Sequence, residues 1–177
     1  ASRKLLLNRR DTRTKPLLDD KILLSWNALL VTACCKIYAS LGNDNYKKMA
    51  VRCMDFIWQH LQKDGIFYHT YKNGAARHPA FLDDYAYLIQ ALIHLQEITA
   101  DAAYLHKARN LTQFVIDHYS EPETGFFFFT HANQKDVIVR KKEVYDGATP
   151  SGNAIMALNL FYLAIVILLK GYHPSSA

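Results

Sequence analysis

The chain has 177 residues, half of them hydrophobic, with a formal net charge of +5. That length and apolar share suit one sizeable core and exclude a disordered polymer. The charge is not a distributed nucleic-acid face, because Arg3, Lys4, Arg9, Arg10, Arg13 and Lys15, set against Asp11, already account for +5. No aromatic residue interleaves them to stack on bases.

Residues 1–16 therefore read as a basic lead-in, a solvated helix or linker. The first hairpin spans residues 17–78 and opens on Leu18-Asp19-Asp20. Its first helix is expected from Asp19-Asp20 to Leu41, with Ile22, Trp26, Leu29, Leu30, Ala33 and Ile37 on the apolar face. Leu41-Gly42-Asn43-Asp44 stops that helix and restarts another, so the two turn back antiparallel. Tyr46, Met49, Ala50, Cys53, Ile57 and Leu61 repeat the helical period in the second, over residues 45–63. Ile66-Phe67-Tyr68 then predicts a short strand.

The second hairpin, residues 79–145, opens on Leu82-Asp83-Asp84 and follows the same order. Helices are expected to Thr99 and over residues 102–119, with Ala108, Phe114 and His118 answering Ala50, Phe56 and His60. Phe126-Phe127-Phe128-Phe129 predicts another strand, with Val137-Ile138-Val139 pairing to it around Asn133. Residues 146–177 begin a third unit, in which Asp146-Gly147-Ala148-Thr149-Pro150-Ser151-Gly152-Asn153 leads into an apolar stretch from Ala154 to Leu169. That stretch is short for a bilayer and interrupted by Asn159, so an inner helix covered on all sides is expected rather than a membrane span. Self-similarity at about 60 residues marks an array of helical pairs.

The fold class implied is all-α, with antiparallel helical hairpins of an incomplete (α/α) toroid and short β segments in the inter-hairpin loops. The first helix of each pair lies inside, and the long loops gather at the N-terminal ends of those inner helices. Both chain ends are expected to be cuts through a larger protein, and an isolated half-array is expected to self-associate through its open ends and to be catalytically inactive. Cys34, Cys35 and Cys53 fall inside helical patterns, with no Cys-x-x-Cys, and read as reduced thiols in a cytoplasmic compartment.

Four carboxylates are the candidate catalytic groups: Asp19, Asp20, Asp83 and Asp84. Acids at inner-helix starts can act as proton donors, bases or sugar-hydroxyl acceptors, and paired acids serve glycosidic chemistry. Helix capping is the alternative at each pair. Trp26 and Tyr85 offer planes for sugar faces or for core packing, and Asn27 offers both a donor and an acceptor. His69, His78 and His131 lie on or near the loops and suit proton transfer, whereas His60 and His118 close helices. Asp146, Ser151 and Asn153 stand at a helix start whose free N–H groups would hold a polar ligand or simply begin the helix. No His/Cys spacing supports a metal site, and neither a cofactor, a Ser or Cys nucleophile nor a phosphate-binding loop has a motif.

The run from Pro16 through Leu18-Asp19-Asp20-Lys21 to Trp26-Asn27, then Pro79-Ala80-Phe81-Leu82-Asp83-Asp84-Tyr85-Ala86, then residues 146–153, resembles in order and spacing the YyaL-like family, related to the spermatogenesis-associated thioredoxin-domain proteins. The resemblance covers nearly the whole chain. It implies a longer protein with an N-terminal thioredoxin-like domain followed by a toroid similar to six-hairpin glycosidases and N-acylglucosamine 2-epimerases. The thioredoxin Cys motif has no counterpart here. The matching positions, Asp19, Asp20, Lys21, Trp26, Asn27, Asp83, Asp84, Tyr85, Asp146, Ser151 and Asn153, become candidate cavity residues, with His78 beside them.

Two functions follow as expectations. In the first, the intact protein binds or processes a carbohydrate as an epimerase-like or glycosidase-like enzyme. In the second, the toroid is a non-catalytic scaffold or protein-interaction domain for the adjacent thioredoxin-like domain. Neither involves nucleic acid or a membrane.

Overall fold

The computed structural model describes residues 2–134 and 138–169. Helix α1, Ser2–Asp11, buries none of its residues and stands apart from the packed body. Its first turn has no acid and its basic residues are spread all round, so no apolar face exists to dock it.

The body is built on three inner helices, α2 (Leu24–Leu41), α4 (Leu82–Thr99) and α6 (Gly152–Leu169), which pack side by side in that order. Outer helix α3 (Asp44–His60) covers α2, and outer helix α5 (Ala102–Tyr119) covers α4. The hairpin turns are near copies. Gly42 and Ala100 each take the left-handed conformation, with their N–H groups donating to Tyr38 O and Gln96 O. Asn43 and Asp101 then cap the outer helices by accepting from the N–H groups of Asn45 and Ala103. Ala100 fills with a Cβ the positive φ for which glycine is the unstrained choice.

Helix α4 has neighbours on every flank and buries 11 of its 18 residues. Each buried Leu or Ile there contributes roughly 1.5–3 kcal/mol. Helix α2 is also long and apolar enough by length and composition to cross a bilayer, yet its Leu24, Ala28, Val31 and Cys35 face packs into the core. The expected face of α2 is corrected: Trp26, Leu30 and Ala33 are exposed. Helix α6 is also not enclosed, since Leu158, Phe161, Ile165 and Leu168 are exposed. Among the described residues each of these helices packs closely on an inner helix at one side, and its exposed apolar residues lie away from that neighbour.

A small antiparallel sheet joins hairpin one to α4. Strand β3 (Ile66–Lys72) pairs with β1 (Ile22–Leu23), β2 (Gln62–Lys63) and β4 (Ala75–Pro79). Only β3 was expected from its aromatic run. Strand β4 follows Asn73-Gly74, both at positive φ, which is the two-residue turn whose twist matches a hairpin.

The Phe126 to Phe129 run is not a strand. Phe127 makes one bridge to Ser120, while the Phe128 and Phe129 N–H groups donate to Tyr119 O and Lys141 O. Val137 lies outside the described residues, and Ile138 and Val139 are exposed bends.

Candidate functional site

The N-termini of α2, α4 and α6 converge beside β3, and Asp83 and Asp84 stand where they meet. A helix start leaves N–H groups without partners and carries partial positive charge, so a carboxylate there is stabilised. Asp84, third residue of α4, accepts from the Phe81 N–H at 2.9 Å and so closes its own helix. Its other oxygen accepts from the Ser25 N–H at 3.0 Å, capping α2 from 59 residues away. Asp83 turns the opposite way and accepts from the Gly152 N–H at 2.9 Å, capping α6. One acid pair thus ties three inner helices together. A Cβ on Gly152 would collide with Asp83 Oδ1, so the close approach requires glycine.

His69 completes the cluster from β3. Its Nδ1 lies 2.8 Å from Asp84 Oδ2, with the imidazole 28% exposed and the carboxylate only 1% exposed. A carboxylate accepts from both backbone and ring, so Nδ1 carries a hydrogen, and in the neutral ring Nε2 holds the lone pair. Among the described residues Nε2 has no hydrogen-bond partner. Asp84 pushes the His69 pKa up, against the opposing effects of burial and Lys21. Burial pushes Asp83 up to about 6, with Glu143 and Asp84 adding repulsion and the Gly152 N–H opposing the shift. Phe81, 5.0 Å from the His69 ring, stacks on Phe129 at 4.8 Å and forms an aromatic wall beside the pair. Two groups whose pKa values are both raised, one of them partly exposed, can exchange protons with a bound hydroxyl or carbonyl compound.

The other candidates scatter around this centre. Asp19 and Asp20 do not open a helix: α2 starts at Leu24, and both acids lie on the extended approach to it. Asp20 pairs with Lys72 at 2.5 Å and Asp19 with Lys21 at 3.3 Å, both at the surface. The Lys72 ammonium lowers the Asp20 pKa. Trp26 is 68% exposed in the first turn of α2, next to Ser25. Asn27 faces inward instead, donating to Leu23 O and accepting weakly from Cys53. Tyr85 is buried, accepts from the Phe67 N–H, and is pushed up to about 12 by burial. It belongs to the core.

His78 is exposed at positive φ on β4, where the register between the Tyr68–Pro79 and Thr70–Arg77 pairs sets it across from His69. The start of α6 holds no free anion cradle. Ser151, Gly152 and Ala154 already donate to Asp146, Asp83 and the Ser151 hydroxyl. Asn153 is spent on Phe127 and Glu143, with all three of its bonds to backbone.

The sequence sets His69 among three loop histidines and places His78, not His69, with the candidate cavity residues. The overlooked signal was Asn73-Gly74, which fixes the hairpin and brings His69 back over the start of α4. Among the described residues no group of three or more His, Cys, Asp or Glu is placed to hold a metal ion.

No family model matches the chain. It is 32% identical over 183 residues to an uncharacterised protein of Caenorhabditis elegans, covering 99% of this chain and 25% of that protein. It is 30% identical over 169 residues to human spermatogenesis-associated protein 20, covering 89% of the chain and 22% of the relative. The chain therefore spans about a quarter of the length of the curated relatives it matches. Among solved structures, a glycoside hydrolase from family 105 of C. acetobutylicum superposes with a TM-score of 0.64 at 15% identity, covering 97% of this chain and 52% of that one. Cellobiose 2-epimerase from Spirochaeta thermophila gives 0.63 at 14% identity, covering 86% and 39%. At such identities the likeness establishes the fold, part of a helical toroid, and nothing about chemistry.

Proposed function

We propose that this chain is part of a carbohydrate-binding or carbohydrate-processing toroid, with the ligand seated at the inner-helix N-termini and His69 as its proton-transfer group. The observation that carries this reading is the His69–Asp84 pair at 2.8 Å, placed at the convergence of three helix starts, with Nε2 unpartnered among the described residues. Asp84 acts as the positioning residue: it is committed to two backbone amides and holds the imidazole in one tautomer. Asp83, pushed up to about 6, would donate a proton at mildly acidic pH. Trp26 would supply an apolar plane for a sugar face.

The fold neighbours support the substrate class, because they include a glycoside hydrolase and an epimerase. The relatives' length supports a larger protein, for which we propose the thioredoxin-like domain implied by the sequence resemblance. The buried free thiols Cys34 and Cys35 suit a reducing, cytoplasmic setting.

The test is calorimetric binding of mono- and disaccharides to the intact protein and to folded His69→Ala and His69→Gln variants. Binding should weaken at least about tenfold in both. Equal binding by the variants, or none by the unaltered protein, would overturn the reading. One observation favours the second reading, a non-catalytic scaffold: Asp83 and Asp84 both already serve as helix caps. Under it the unaltered protein binds no sugar.

A further inference from the structure

The connection between α5 and α6 is fastened by a cluster that the proposed site does not use. His118, in the last turn of α5, stacks on His131 with ring centroids 4.7 Å apart and planes 26° apart. Phe114 lies 4.5 Å from the first ring and 5.8 Å from the second. Arg140 crosses the pair, donating to Thr130 O at 2.7 Å and to His118 O at 3.2 Å, with its guanidinium 4.1 Å over Phe128. The Ala132 N–H adds a bond to His118 O at 3.0 Å.

The hydrogen bonds fix the protonation state. The Asn133 N–H donates to His131 Nδ1 at 2.9 Å, so that nitrogen is an acceptor and the ring hydrogen sits on Nε2. A second proton could enter only at Nδ1, where it would meet the Asn133 donor head-on and break that bond. We infer that the His118–His131 stack is an acid-sensitive clasp, which holds the α5–α6 connection against the end of α5 only while the His131 ring is neutral.

The groups facing His131 are His118 and Tyr119 from α5, and Arg140 and Asn133 from the connection itself. Among the described residues that face it none is a carboxylate, so a new positive charge finds no counter-charge there. Burial, His118 and Arg140 all push the His131 pKa down from its ordinary value. A histidine depressed in the folded state contributes stability above its unfolded value of about 6.5, and that stability is lost as pH falls through the lower folded value. Release would propagate, because the same connection supplies Phe129 O to the Leu82 N–H and Phe127 to Asn153 of α6. This inference does not depend on what the inner-helix mouth binds.

Amide hydrogen exchange on the intact protein, corrected for intrinsic rates, reads it directly. Between about pH 7.5 and about pH 5, protection across residues 126–133 should fall at least about tenfold, with α2 and α3 unchanged. In His131→Phe the fall should disappear, leaving the segment protected at both pH values. Undiminished protection in the unaltered protein at the lower pH, or the same loss in His131→Phe, overturns the clasp. Should that variant fail to fold, His118→Phe serves, because removing the mutual repulsion should shrink the loss; an unchanged loss counts against the clasp equally.

Discussion

Leu18-Asp19-Asp20 and Leu82-Asp83-Asp84 carry identical side chains and occupy different places in the fold. The helical hairpins repeat with an offset of 58 residues, from Leu24 to Leu82 and from Ala50 to Ala108, whereas the two tripeptides lie 64 apart. The first copy therefore falls ahead of its helix. Leu18 is 81% exposed there, while Leu82 is fully buried. The acids of the first copy pair with Lys21 and Lys72 in solvent, and those of the second fasten α2, α4 and α6. Chemistry is set by register with the helix start, because only there do unpaired N–H groups await an acceptor.

Substitutions should separate the two copies sharply. The largest effect is expected at Asp84. Asn offers one acceptor where the carboxylate serves three donors, so Asp84→Asn should cost about 2–4 kcal/mol in denaturant unfolding and lower the pH at which His69 titrates. A loss no greater than that of Asp20→Asn would break the distinction. Gly152→Ala should come next, at about 1–3 kcal/mol, because its methyl must displace the Asp83 carboxylate. If the double variant with Asp83→Ala recovers none of that loss, the proposed collision is not its source.

Asp83→Asn is a test of sign more than of size. Burial raises Asp83 from the ordinary carboxylate range to about 6, so its protonated form favours folding. The associated stability is full below the unfolded value and is lost as pH rises through about 6. Asn keeps an acceptor for the Gly152 N–H and does not ionise, so the slope of stability between those pH values should flatten. An unchanged slope would assign the titration to another group. The smallest effect belongs to Asp20→Asn, whose denaturant midpoint should match that of the unaltered protein, since its ion pair with Lys72 is exposed and screened by solvent.

The hairpins were legible because helix period, stop and restart are local. Leu41-Gly42-Asn43-Asp44 announced the first turn, and Ala50 and Ile57 the buried face of α3. The start of α2 was misplaced because Asp19-Asp20 has cap composition, whereas Ile22 and Leu23 are claimed by β3 instead. Trp26 and Leu30 misled for a related reason: an apolar stripe reports a face that can be buried, and here the neighbour that would bury it is not among the described residues. The site was half legible. Asp83 and Asp84 stood out, but no local pattern joins Asp84 to Ser25 or to His69.

By itself the sequence determined the helical pairs, their antiparallel turns and the acids at the start of α4, since each rests on contacts within a few turns of chain, and its internal repeat pointed to stacked hairpins. The tertiary structure alone decided which acids matter, and to which helices they bind. Asp83 reaches Gly152 and Asp84 reaches Ser25 only after three inner helices have packed with their N-termini together. Hydrogen bonds act over about 3 Å, so partners 59 and 69 residues apart in the chain meet only through the fold.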